Sequence, residues 1–128
     1  MNDDERIVRE LVATGKWSDE QARIGLRAHF QCEYCELDFL ASPEKFKQWE
    51  VDHIIPLSKE GGTEFFDNLA AACRTCNFCF KRGWDPRDYA GKNATRAELI
   101  AAAQRYICER KQMTEKEIAH YKAIIGRP

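Results

Sequence analysis

Two Cys-x-x-Cys pairs, Cys32/Cys35 and Cys73/Cys76, stand in a chain of 128 residues. A two-residue gap lets both thiolates of a pair reach one tetrahedral ion while the tight turn aims backbone N–H groups at the sulfurs. Two pairs make the closed, all-thiolate set of a structural zinc site, with Zn–S bonds of about 2.3 Å. Such a clamp would tie distant segments into one unit and add folding energy to a small core. Cys76 and Cys79 form a further Cys-x-x-Cys, so the spacing leaves two registers open. It also leaves open a redox use of that pair, which would require a reactive thiol of low pKa. Cys108 falls in an apolar helical stripe and reads as an ordinary buried cysteine.

The cysteines are read as ligands because of the expected compartment. The opening MNDDERIVRE is charged from its third residue and has no signal-peptide apolar region. No apolar run approaches the ~20 residues that span a bilayer. A cytoplasmic protein without a membrane partner is expected, and there thiols stay reduced, which disfavours a disulfide scaffold.

With 44% apolar and 32% charged residues, the chain has the composition of a globular protein. Its length suits one domain over residues 1–128. The formal net charge is −1, which argues against indiscriminate coating of nucleic acid. The distribution is uneven: residues 1–40 hold nine acidic and five basic side chains, residues 41–72 six and three, and residues 73–128 six and twelve. Groups able to neutralise phosphates therefore lie mostly beyond Cys73.

Helical spacing runs from about Asp4 to Ala13, through Ile7, Val8, Leu11 and Val12. Ser18 and Gln21 form a capping box that opens a second helix, which ends before Cys32. From Cys32 to about Arg82 the chain is short-period and rich in turns. Trp49, Val51, Ile54 and Ile55 suggest a strand ended by Pro56. Gly61-Gly62 marks a turn needing positive φ, and Leu69 to Ala72 suggests a second strand. A helix is expected from about Arg74 to Arg82 with Gly83 as its cap, then a loop from Trp84 to Asn93. Thr95 caps a helix through Ile107, and a box of Thr114 and Glu117 predicts another ending near Ile125. Trp17, Trp49 and Trp84 read as core anchors, and His29 and His120 as ordinary helix residues. The layout is helices over 1–31, a metal-and-turn centre over 32–83, and helices over 84–128.

Between the cysteine pairs lies VDHIIPLSKEGGTEFFDNLAAACRTCN. Asp52 and His53 are neighbours on a strand, so their side chains leave it on opposite faces. Asn77 follows Cys76 directly. A carboxylate, an imidazole and two amides, Asn68 and Asn77, are thus folded together by one clamp.

This stretch resembles the HNH endonuclease family, whose pattern runs C-x-x-C, D-H-x-x-P, a Gly-Gly turn, N-L, C-x-x-C and a final His or Asn. Cys32/Cys35, Asp52 to Pro56, Gly61-Gly62, Asn68-Leu69, Cys73/Cys76 and Asn77 match it in order, over about residues 32–82. The family's last catalytic residue follows its second zinc pair, which favours Cys73/Cys76 over Cys76/Cys79. The resemblance implies an α+β fold, with a small ββα-metal, treble-clef-like, zinc-stapled centre flanked by N- and C-terminal helices. It implies that His53 is the general base, a role that suits an imidazole near neutral pH. Asp52 and Asn77 would hold one Mg²⁺ or Mn²⁺ ion through oxygen. Asn68 would fix the inter-strand turn and help to orient His53. Members often carry Lys or Arg three residues after the final His or Asn. Here Phe80 stands there, so Lys81, with Arg82 and Arg74, becomes the expected phosphate contact.

The resulting expectation is a metal-dependent endonuclease hydrolysing phosphodiester bonds of DNA, most naturally double-stranded. The alternative is a non-catalytic zinc-stabilised treble-clef module that binds nucleic acid or protein. The complete Asp52, His53, Asn77 set separates them, since a binding module has no use for it.

Overall fold

A computed structural model describes residues 2–128. Among these described residues five α-helices and two strands follow the order α1 (Asp3–Ala13), α2 (Asp19–Arg27), α3 (Pro43–Phe46), β1 (Trp49–His53), β2 (Leu69–Cys73), α4 (Arg87–Ala90) and α5 (Arg96–Ile125). A 3₁₀ turn over Phe66–Asn68 leads into β2, and a π-helix over Thr75–Lys81 follows it. The expected α+β architecture is present: a two-stranded sheet and a helical turn around four clustered cysteines, with helices on either side.

Local chemistry sets the helix starts. Asn2 accepts from the Glu5 N–H, and both capping boxes, Ser18/Gln21 and Thr95/Glu98, are closed in both directions. The strands pair antiparallel, with Asp52 opposite Ala70 and His53 opposite Leu69. All five residues of β2 are buried, as expected where a strand is covered on both faces. Around it Ile24, Phe39, Ile54, Leu69, Ala103 and Ile107 form the core. Trp17 and Trp49 meet edge-on at one end, joined by Phe30 and Phe39, and Trp84 stacks on Tyr106 at the other.

The outer edge of β2 is satisfied by side chains and one peptide N–H instead of a third strand. The Leu69 carbonyl accepts from Arg27 and from Arg96, the latter at 3.0 Å. Glu33 donates its N–H to the Ala71 carbonyl at 2.8 Å and accepts the Ala71 N–H on its carboxylate at 2.7 Å. The Cys73 N–H points at Cys32 Sγ, 3.2 Å away. Since buried backbone polar groups must be paired, these residues lock α2, α5 and the first cysteine turn to the sheet. Arg96 also ion-pairs with Glu33 at 2.8 Å.

Several elements differ from the sequence expectation. The first strand stops at His53, and Ile54-Ile55 already bend away. The turn after β2 is π-helical: the Arg82 N–H reaches back five residues to Asn77, and Arg82 itself, at φ +48°, takes the left-handed cap position assigned to Gly83. Residues 87–90 form a short helix in the expected loop. The two C-terminal helices are one 30-residue helix, α5. No Gly or Pro interrupts it, and the Thr114 hydroxyl donates back to the Arg110 carbonyl at 3.4 Å instead of capping a new start. Cys108, expected in the core, is exposed on α5. Among the described residues no helix is long and apolar enough to cross a membrane.

Candidate functional site

Cys32 and Cys35 sit on the turn closed by the Gln31–Asp38 bridge, which packs on the outer edge of β2 through Glu33, while Cys73 ends β2 and Cys76 lies in the first turn of the π-helix. The sulfurs of all four lie within 4.8 Å of one another. Cys35 Sγ and Cys73 Sγ are 3.7 Å apart, close to the roughly 3.8 Å edge of a tetrahedron with 2.3 Å bonds. Backbone N–H groups of Tyr34, Cys73 and Cys76 point at the sulfurs at 3.2–3.4 Å, and Lys111 Nζ lies 3.6 Å from Cys76 Sγ. Hydrogen bonding among the thiols drives Cys35 far below the ordinary cysteine range and pushes Cys32 and Cys76 far above it. Zinc binds such a set as thiolates, so its binding would release the thiol protons. Geometry and donor set fit a closed zinc site. Cys79 is exposed and outside the cluster, so the register is Cys73/Cys76.

The adjoining face of β1 meets the π-helix through two parallel contacts. Glu50 and Asp52, two residues apart on a strand, share a face. Asn77 Nδ2 donates to Glu50 Oε1 at 3.0 Å. Lys81 Nζ lies 3.0 Å from Asp52 Oδ2, which also accepts from the Tyr34 hydroxyl at 2.6 Å. These bonds fix one atom of each side chain, Asp52 Oδ2 and Asn77 Nδ2. Among the described residues Asp52 Oδ1 and Asn77 Oδ1 have no hydrogen-bond partner, so each keeps one hard oxygen free for an ion.

His53 leaves the opposite face at the end of β1, its side chain 30% exposed. Its Nε2 is buried and stands 3.0 Å from Glu64 Oε2 without a hydrogen bond in line, whereas Nδ1 is not a buried nitrogen. The Asp52 carboxylate and the His53 imidazole thus leave the strand end on opposite sides.

Asn68 serves the loop that follows His53, and its side-chain hydrogen bonds go to backbone groups of that loop. Its amide donates to the Ile55 and Thr63 carbonyls at 3.0 and 2.9 Å and accepts the Ile55 N–H at 2.9 Å. It acts on the backbone of the turn between the strands. The glycine pair divides its duties. Gly61 needs its φ of +89°, but Gly62 is required by a close approach: a Cβ there would stand 2.0 Å from the Pro56 carbonyl oxygen.

The expected phosphate contact at Lys81 does not fit the structure. Its side chain is wholly buried, paired with Asp52 and donating to the His53 and Ile54 carbonyls at 3.3 and 3.1 Å. It pins the π-helix to the end of β1. Arg74 and Arg82 are exposed and flank the Phe78 ring at 4.6 and 5.9 Å. Asn77, Phe78, Arg82 and Gly83 line a shallow cleft of about 330 Å³. Sequence reasoning missed Tyr34, Glu50 and Glu64. Glu50 was readable from strand alternation with Asp52; the other two depend on tertiary approach and left no local signal.

Residues 32–79 match the family model described as HNH endonuclease. Among curated proteins, the CRISPR-associated endonuclease Cas9 of Corynebacterium diphtheriae is 41% identical over 51 residues. That stretch is 40% of this chain and 4% of the relative, so the chain spans a small part of that protein. No solved structure matches the chain significantly. With the four-cysteine cluster and the two strands in place, residues 32–79 form an HNH endonuclease domain.

Proposed function

We propose that this protein is a metal-dependent endonuclease that hydrolyses phosphodiester bonds of double-stranded DNA, with the flanking helices and the centre acting as one domain. The observation that carries this reading is the pair of free oxygens, Asp52 Oδ1 and Asn77 Oδ1, each on a side chain fixed through its other terminal atom. A Mg²⁺ or Mn²⁺ ion bound there supplies charge stabilisation for the phosphate and the leaving 3′-oxygen. His53 is the general base. Its Nδ1 takes a proton from a water as the water oxygen bonds to phosphorus, and the bond from phosphorus to the 3′-oxygen breaks. Its Nε2 keeps the ring proton beside Glu64. Glu50 and Lys81 keep Asn77 and Asp52 in place, while Arg74 and Arg82 meet neighbouring phosphates. Zinc at Cys32, Cys35, Cys73 and Cys76 is structural. A cytoplasmic location agrees with reduced thiols.

One observation favours the second reading, a zinc-stabilised module that binds without cutting: the Lys81 ammonium already neutralises Asp52. Cleavage of supercoiled plasmid by the zinc-loaded protein decides between them. With Mg²⁺ or Mn²⁺ the wild type should cut, and His53→Ala should cut about 10²- to 10⁴-fold more slowly with its zinc retained. Equal cutting by both would remove His53 as the base, and binding without cutting would establish the second reading.

A further inference from the structure

Helix α5 carries its core-facing stripe past the body on which it packs. Leu99, Ala103 and Ile107 are buried at successive four-residue steps. At 100° per residue the same stripe continues through Thr114, Ile118, Tyr121 and Ile125. From Glu115 onward every residue is exposed, with Ile118, Tyr121 and Ile125 at 46%, 56% and 68%. About three turns of helix therefore present apolar side chains at the spacing of a helix–helix seam, with nothing over them among the described residues.

The charges beside the stripe indicate what covers it. With Ile118 and Ile125 at a positions and Thr114 and Tyr121 at d, Glu115 and Lys122 fall at e. Neither has an ion-pair partner among the described residues, whereas Arg105 and Glu109 upstream are paired. Two antiparallel copies place Ile118 against Tyr121 and Ile125 against Thr114. They also place Glu115 of each copy beside Lys122 of the other, so the two-fold axis makes that bridge twice. A parallel pair is obstructed, because the first half of a second helix would run along the stripe side of α5 where the body already sits. An antiparallel helix runs out beyond Ile125, clear of it.

We infer that the C-terminal half of α5 pairs antiparallel with the same segment of a second copy of this chain. Thr114, Ile118, Tyr121 and Ile125 form the seam, and Glu115–Lys122 bridges flank it. The particle then carries two HNH centres, whatever either centre does chemically.

Sedimentation velocity of the full zinc-loaded chain, from about 1 µM to 1 mM, tests this. A seam this short belongs to the interfaces below about 1,200 Å², and the expected dissociation constant is about 100 µM. Ile118→Asp should sediment as a monomer throughout, with helicity and zinc content unchanged. Glu115→Lys should weaken the dimer about fivefold, and adding Lys122→Glu should restore it. Glu117→Lys, which would oppose Lys122 only in a parallel pair, should leave it unchanged. A wild type that stays monomeric throughout would assign the stripe to a different partner and overturn the inference. So would a double reversal no better than the single one, or dissociation by Glu117→Lys.

Discussion

Four sulfurs meet around one point between the first cysteine turn and the π-helix, and every ligand position there is filled by protein. A few residues away, Asp52 is gripped through Oδ2 by Lys81 and Tyr34 and Asn77 through Nδ2 by Glu50, and the Oδ1 atom of each makes no hydrogen bond among the described residues. The first arrangement suits a closed structural ion and the second an ion that keeps places for water and phosphate. The two share a scaffold, since the π-helix carries Cys76, Asn77 and Lys81 within six residues. The same short helix must be immobile at one end and offer an unshared oxygen in its middle. The contrast is one of support: the proposed open site would draw it from Lys81, Tyr34 and Glu50, whereas the closed one is made of its ligands alone.

The largest perturbation expected is on the closed set. Cys73→Ser removes one thiolate from a site whose apparent binding energy is typically about 10–16 kcal/mol. Loss of stoichiometric zinc and of the cooperative thermal transition should follow, and a folded, zinc-replete variant would break the contrast at its first term. Next comes Lys81→Met, which leaves Asp52 buried without its counter-charge; the expected cost is about 3–5 kcal/mol in urea unfolding. A cost under about 1 kcal/mol would mean that the ion pair does not anchor the open site. Glu50→Ala frees the Asn77 amide and should raise the Mg²⁺ requirement about 10-fold or more while the melting temperature barely moves. Equal damage to both readouts would show that Glu50 supports the fold and not the ligand. The smallest effect is at Arg82→Ala, which should weaken DNA binding a few-fold and lower the salt slope by about 1, with zinc and stability untouched.

What could be read from the sequence was whatever obeys a local period. The two Cys-x-x-Cys spacings, the Ser18/Gln21 capping box that opens α2, the Thr95 cap of α5 and the strands around Asp52 and Leu69 were legible in this way, whereas the cysteine register was favoured only by the family resemblance and is set by the cluster itself. Lys81 shows where that reading fails. A lysine between Phe80 and Arg82 looks like a phosphate contact, and only the approach of the π-helix to β1 reveals that it is buried against Asp52. The Thr114–Glu117 box fails differently: its residues have capping chemistry, but the chain around them has no breaker, and helix continuation prevails. Asn68 was expected at the turn between the strands and its hydrogen bonds lie there, but the groups it holds, Ile55 and Thr63, depend on how the loop folds back and left no local signal.

Glu33 has a further consequence for how this chain behaves in company. A two-stranded sheet ordinarily leaves β2 as a template on which a stranger's backbone can zip. Here a carboxylate and a peptide N–H from one residue imitate the missing neighbour at Ala71, with guanidinium groups and a sulfur filling the flanking places. The alanine-rich strand is thereby closed to foreign strand addition, and cross-β aggregation through it requires the cysteine turn to open first.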